Sequence, residues 1–338
     1  MSTPPAGGLP PLDGSATPEA VFAALDLAVR RRLPGRMHGE QQGLRLGSGS
    51  EPEEVVRYRP GEDDVRRIDW NVTARAAGQP HVWRLLAQHE LETWVLVDDT
   101  PSMAFGTLHL EKRDLAAGVT AAIGLLTAGP GNRMGTAHLT TSGIQWSAPV
   151  PSRAAAHRAL RRRIGAVPTT VRAAVPAAVP TGAPGGDLTA ALRAFGARHS
   201  RPGVRVVVTD FVDPQGAVER PFAWERPLRR LAAAHEVLVI EVLDPRELTL
   251  PDVGTVTLVD PESGRRREVW TSDRRTRQRY AAMTAAHRTA TAEAVRSARA
   301  SHVVLRTDRD WVRDLARHVH GRPLQHDGPS RTASAGAR

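Results

Sequence analysis

The chain has 338 residues, enough for one large domain or two modest ones with a substantial core. It contains no cysteine, which excludes disulfides and thiolate metal sites. Its formal charge is +10, carried almost wholly by arginine, and Lys112 is the single lysine. Clustered cations attract phosphates, but two Tyr and five Phe leave few rings to stack on bases, which weighs against nucleic acid.

The opening stretch, MSTPPAGGLPPLDGS, lacks the basic start and apolar run of a secretion signal, so a cytoplasmic location is the expectation. No apolar run approaches the roughly 20 residues of a membrane helix, so no membrane span is expected. Residues 1–17 are rich in Pro and Gly and read as disordered. A helix is predicted over 18–33, with Val21, Leu25, Leu27 and Val29 at helical spacing behind Thr17 and Pro18. Residues 36–80 are polar and turn-rich, and segment 18–88 reads as an N-terminal region. From there to 321 a main domain is expected, followed by a polar, disordered tail, 322–338.

Within 89–321 apolar strands alternate with helices. Strands are predicted at 93–99, 133–140, 143–148, 204–211, 236–244 and 301–308. Helices are predicted at 111–128, 152–167, 187–199, from about Trp224 to 235, at 274–300 and at 310–321. A hairpin is expected over 255–272, around Pro261–Gly264. The long helix 274–300 is expected to carry Tyr280, Met283, His287, Ala294 and Val295 on one side. The alternation implies an α/β fold with a mostly parallel sheet covered on both faces, and ligands in such folds bind beyond the carboxyl ends of the strands.

Two of these strands end in acidic clusters. TWVLV runs into Asp98, Asp99, Thr100, Pro101 and Ser102, and VRVVV runs into Thr209 and Asp210. If both strands are central and parallel, Asp98 and Asp210 meet at one sheet edge. Carboxylates with hydroxyls close by suit a hard divalent cation such as Mg²⁺ or Mn²⁺. The plainer alternative is that both aspartates cap helices or solvate strand ends.

DDTPSM (98–103) and VVVTDF (206–211), each completing an apolar strand, resemble the metal-ion-dependent adhesion site of von Willebrand factor A-like domains. The stretch RYRPGEDDVRRIDWNVTAR (57–75) with the Glu90–Met103 segment is similar to the signature of domain-of-unknown-function family number 58. That likeness covers roughly residues 36–320. It implies a Rossmann-like sheet and, as partner, an AAA+ ATPase of the MoxR type. It also implies metal ligation by Asp98, Thr100, Ser102 and Asp210, with Asp99, Asp187 and Thr189 as further candidates. The pattern departs from the family's metal site at Gly186, where a threonine ligand is usual, so the site is degenerate there. Phe211 replaces a glycine that often follows the second aspartate.

In the signature, Arg57, Arg59, Arg66, Arg67 and Arg75 stand among Glu62, Asp63, Asp64 and Asp69. One reading makes this an irregular segment fixed by ion pairs and anchored by Trp70. The other makes Arg57, Arg59, Asp69, Trp70 and Arg75 a partner-binding surface whose guanidinium forks read carboxylates. Signs of catalysis are poor. No Gly-Lys dipeptide exists, which removes the phosphate loop; His89-Glu90 lacks the second histidine of a zinc-protease helix; Gly47–Ser50 lacks the nucleophile-elbow order. The expectation is therefore a non-enzymatic interaction module, with a metal-dependent hydrolase and an Arg-rich nucleic-acid binder as alternatives.

Overall fold

The computed structural model describes residues 16–32, 52–60, 65–76, 79–85, 91–107, 110–165, 186–198, 203–213, 216–259 and 265–321. Along the chain run α1 (Pro18–Arg32), β1 (Pro52–Arg57), α2 (Trp70–Arg75), β2 (His81–Leu85), β3 (Glu92–Asp98), α3 (Lys112–Leu126), β4 (Arg133–Thr140) and β5 (Gly143–Pro151). There follow α4 (Ser152–Gly165), α5 (Leu188–Arg198), β6 (Val204–Thr209), α6 (Glu225–Ala234), β7 (Glu236–Leu243) and α7 (Pro245–Leu248). The last elements are β8 (Thr255–Val259), β9 (Arg266–Trp270), α8 (Arg274–Ser297), β10 (Ser301–Arg306) and α9 (Trp311–Gly321).

Six strands form one sheet in the order β10-β7-β6-β3-β4-β5. Every pairing is parallel except β4 with β5, a hairpin that closes one side. Successive side chains of a strand point to opposite faces, so β3 feeds two cores. Val95 and Val97 pack with Leu115, Val119, Ala156, Leu160 and Leu315 of α3, α4 and α9. Trp94 and Leu96 pack with Leu192, Phe195, Leu228 and Val295 of α5, α6 and α8. This is the mostly parallel, doubly covered α/β sheet that the alternating pattern predicts.

Helix α1 adds Val21, Phe22, Leu25 and Val29 to the core shared by α3, α4 and α9. Although its sequence position groups it with the polar N-terminal region, it packs on the main body. Arginines of α4 help hold it: Arg153 pairs with Asp26 and Arg161 with Glu19. The basic face of α4 is thus partly spent on intramolecular ion pairs.

Two small antiparallel sheets complete the fold, β1–β2 and β8–β9. The β8–β9 hairpin is the expected one, and its turn, Pro261–Gly264, lies outside the described residues. On α8 only Thr291, Ala294 and Val295 are buried, whereas Met283 is exposed. Of the five residues expected on one side of this helix, Ala294 and Val295 are buried, Tyr280 is half-buried and donates to the Glu247 carbonyl, His287 is half-buried edge-on to Phe222, and Met283 departs from the pattern. No described helix is long and apolar enough to cross a membrane.

Candidate functional site at the carboxyl edge of the sheet

Val97 of β3 stands opposite Val208 of β6 in parallel register, so both strands release their chains at the same edge. Asp98 and Thr209–Asp210 emerge side by side. The Asp98 carboxylate is buried and fully engaged. Its Oδ1 accepts from the Thr100 amide (3.1 Å) and the Thr100 hydroxyl (2.6 Å), and its Oδ2 accepts from the Thr209 hydroxyl (2.7 Å). Thr100 Oγ1 also lies 3.1 Å from Ser102 Oγ. Burial, and then the neighbouring Asp210 carboxylate, push Asp98 up to about 7.

Asp210 is held differently. Its Oδ1 accepts from the Val212 amide (3.0 Å), and its Oδ2 accepts from the Lys112 ammonium at 2.7 Å. Lys112 is the first residue of α3 and is 0% exposed. The same ammonium donates to Glu247 of α7 and lies 5.9 Å from the centroid of the Phe105 ring. Burial alone would push this lysine towards neutrality; the Asp210 and Glu247 carboxylates outweigh it and hold its pKa above the ordinary value. Immediately after Asp210, Phe211 takes a φ of 57°, the left-handed conformation that favours glycine. A strain of about 1–2 kcal/mol is offset by burying its ring against Trp224, 4.6 Å away between centroids.

The remaining sequence-predicted residues lie around this centre in distinct roles. Asp99 turns towards β4, where its Oδ2 bonds His138 Nδ1 (2.7 Å), with Arg162 at 3.5 Å. Asp187 is exposed and accepts from the Thr189 amide (2.7 Å), capping α5. Asp244, a few residues before Glu247, accepts from the hydroxyls of Thr107 and Thr307, tying the loop after β3 to the end of β10. In the signature segment, Asp69 caps α2 by accepting from the Asn71 and Val72 amides. Arg57, Arg59 and Arg75 are exposed, and Glu62, Asp63 and Asp64 lie outside the described residues.

Trp70 is 71% exposed, which corrects its reading as the apolar anchor of that segment. The anchor is the β1–β2 pairing itself, with Val82 buried, Ile68 bridged to it, and Thr73 accepting the His81 amide. Trp70 instead begins α2, on the solvent side of the Asp69 cap.

Sequence reasoning did not assign Lys112, Glu247 or His138 to the edge, and it named Thr209 there without giving it a role. A signal for Lys112 existed: it is one lysine among 46 basic residues. Its partners Asp210 and Glu247 are 98 and 135 residues away in sequence, so no local motif could pair them.

A divalent ion would need Thr100, Ser102 and the aspartates as ligands. The residues present do not fit it. An ammonium already sits on Asp210, and like charge beside a metal is unfavourable. The place of the missing threonine is also closed: a Cβ at Gly186 would stand 2.7 Å from Thr100 Cγ2, 3.0 Å from Leu139 Cγ and 3.0 Å from the Thr140 carbonyl oxygen. Among the described residues, no group of three or more His, Asp or Glu is placed to hold a metal ion. What the arrangement does chemically is bind two loops and two helices into one rigid edge.

Comparisons with known proteins agree with the signature. Uncharacterized proteins of Mycobacterium bovis and Mycobacterium tuberculosis are each 44% identical over 308 residues, 90% of this chain and 89% of theirs. One from Mycobacterium avium is 45% identical over 137 residues, 40% of this chain and 76% of its own. Among solved structures, the conserved hypothetical protein BatB from Bacteroides thetaiotaomicron is similar at a TM-score of 0.37 and 12% identity, covering 68% of this chain and 98% of that one. The VWA domain of SpRpn10 is similar at a TM-score of 0.32 and 11% identity, covering 68% and 95%. The model of the family described as protein of unknown function DUF58 matches residues 54–290, and the chain belongs to that family.

Proposed function

We propose that this protein is a non-catalytic interaction module acting in the cytoplasm, and that it docks a partner protein on the loops rimming the carboxyl edge of its sheet. The observation that carries this reading is a contrast at that edge. The charged groups beneath are buried and bonded to one another, whereas Phe105 and Val212, on the loops directly after β3 and β6, are 40% and 42% exposed. Exposed apolar side chains above a rigid polar base suit a protein contact better than a reaction, which needs a free base or nucleophile. The partner proposed is a MoxR-type AAA+ ATPase, the class that the family resemblance implies.

The test is a pull-down of the MoxR-type ATPase from the same organism, using the full chain. Phe105→Asp/Val212→Asp should capture less than a tenth of the wild-type amount if each lost anchor costs about 1 kcal/mol or more. A double variant in the signature segment, Trp70→Asp/Arg75→Asp, should capture as much as wild type. If instead the signature variant loses capture and the rim variant keeps it, docking occurs on the 57–75 surface and the edge reading fails.

A further inference from the structure

We infer that the Lys112 ammonium is the resident cation of the carboxyl edge, balancing the charge that a divalent ion balances in a metal-dependent site of this layout. The inference goes beyond the docking proposal, because it concerns how the edge is held together whatever binds above it.

Four observations carry it. The ammonium is fully buried and bonded to Asp210 and to Glu247, carboxylates of two different elements. It occupies the first residue of α3, where the positive end of the helix dipole disfavours a cation, so local helix preference does not explain it. It is the single lysine among 46 Lys and Arg residues, and it brings a compact point charge to this place where arginine would bring a planar five-donor fork. On the opposite side, the loop that would bring a threonine ligand carries Gly186, packed so closely on Thr100 and Leu139 that a side chain has no room.

A covalently attached cation has consequences that a diffusing one does not. Its occupancy does not depend on the concentration of free divalent ions or on chelators. The loops bearing Phe105 and Val212 are then set in one arrangement at folding. They do not switch with metal as a dissociable site would.

Manganese is the probe, followed by electron paramagnetic resonance of the free ion and by the thermal midpoint of the full-length chain. Wild type should leave the Mn²⁺ signal unchanged at millimolar ion, with the same midpoint in Mn²⁺ and in EDTA. Lys112→Ala uncovers two carboxylates and should bind one Mn²⁺, raising its midpoint by about 5 °C at a hundredfold excess over its dissociation constant. Adding Asp210→Asn to Lys112→Ala should abolish that gain. If Lys112→Ala folds only in the presence of Mn²⁺, the inference is equally supported. Saturable binding of one Mn²⁺ by wild type that disappears in Asp210→Asn would overturn it. So would a folded Lys112→Ala, or the longer Lys112→Met, that gains no Mn²⁺ affinity.

Discussion

The carboxyl edge of the sheet and the β1–α2–β2 segment are both dense in charge, and the structure uses their charges in opposite ways. At the edge, Asp98, Thr100, Thr209, Asp210 and Lys112 are buried and satisfy one another. In the segment, Arg57, Arg59 and Arg75 face solvent, and Asp69 is spent on a helix cap. The difference follows from the backbone around them. Parallel strands β3 and β6 force their loops together beneath α3 and α7, so each polar group must find a partner or carry a desolvation penalty. A two-stranded sheet with a short helix covers little, and Arg57, Arg59 and Arg75 stay exposed to water. Charge density in a sequence therefore does not say whether a region binds itself or something else; depth in the fold does.

Removing the cation should widen this contrast most. Lys112→Met leaves the buried Asp210 and the partly exposed Glu247 without their shared counter-charge, and about 3–5 kcal/mol of stability should be lost on denaturant unfolding. Arg75→Ala, on the exposed segment, should change stability by no more than about 0.5 kcal/mol. Equal effects from the two would show that the edge is no more tightly built than the segment. Next in size is Gly186→Thr, which restores the family's usual ligand type. Its Cβ would stand 2.7 Å from Thr100 Cγ2, so overpacking should cost about 1–3 kcal/mol and no metal affinity should appear in calorimetry.

The Asp69 cap gives a smaller, local effect. Asp69→Ala removes the acceptor of two amides, and about 1 kcal/mol should be lost within α2. Hydrogen exchange should speed up there and remain unchanged in β3 and β6; a change that spread into the sheet would mean the segment and the body unfold as one.

The pH dependence of the edge has an unusual sign. Asp98 is held above the unfolded carboxylate value of 3.8, at about 7, so the folded state favours its protonated form. Its contribution is fully present below the unfolded value and is lost as pH rises through the folded one. Compared with Asp98→Asn, wild type should lose stability between about pH 4 and pH 7. A wild type that instead gains stability over that window, relative to the variant, would place the Asp98 carboxylate in its ionised form throughout.

Much of this architecture was legible in the sequence because burial in a parallel sheet leaves an unbroken apolar run. VLV in β3 and VVV in β6 announce two-sided strands, and the acidic residues after each mark their ends. The meeting of Asp98 with Asp210 was readable from that alone. What covers those residues was not. Lys112 looked like part of an ordinary helix start, since its salt bridges span distances at which sequence spacing carries no information. The packing of α1 was hidden for a related reason: its apolar stripe of Val21, Leu25 and Val29 says that a face is buried and does not say against what. Trp70 misled in the other direction. A tryptophan in a polar stretch reads as an anchor, yet Asp69 starts the helix so that the ring begins it on the solvent side.

The most direct test of a self-neutralised edge is an experimental structure of the full-length wild-type chain from crystals soaked in Mn²⁺, with anomalous data collected at the manganese edge. The account predicts Lys112 Nζ within hydrogen-bonding distance of Asp210 and no anomalous peak beside Thr100 and Ser102. A peak between those hydroxyls, with the Lys112 ammonium turned away from Asp210, would contradict it.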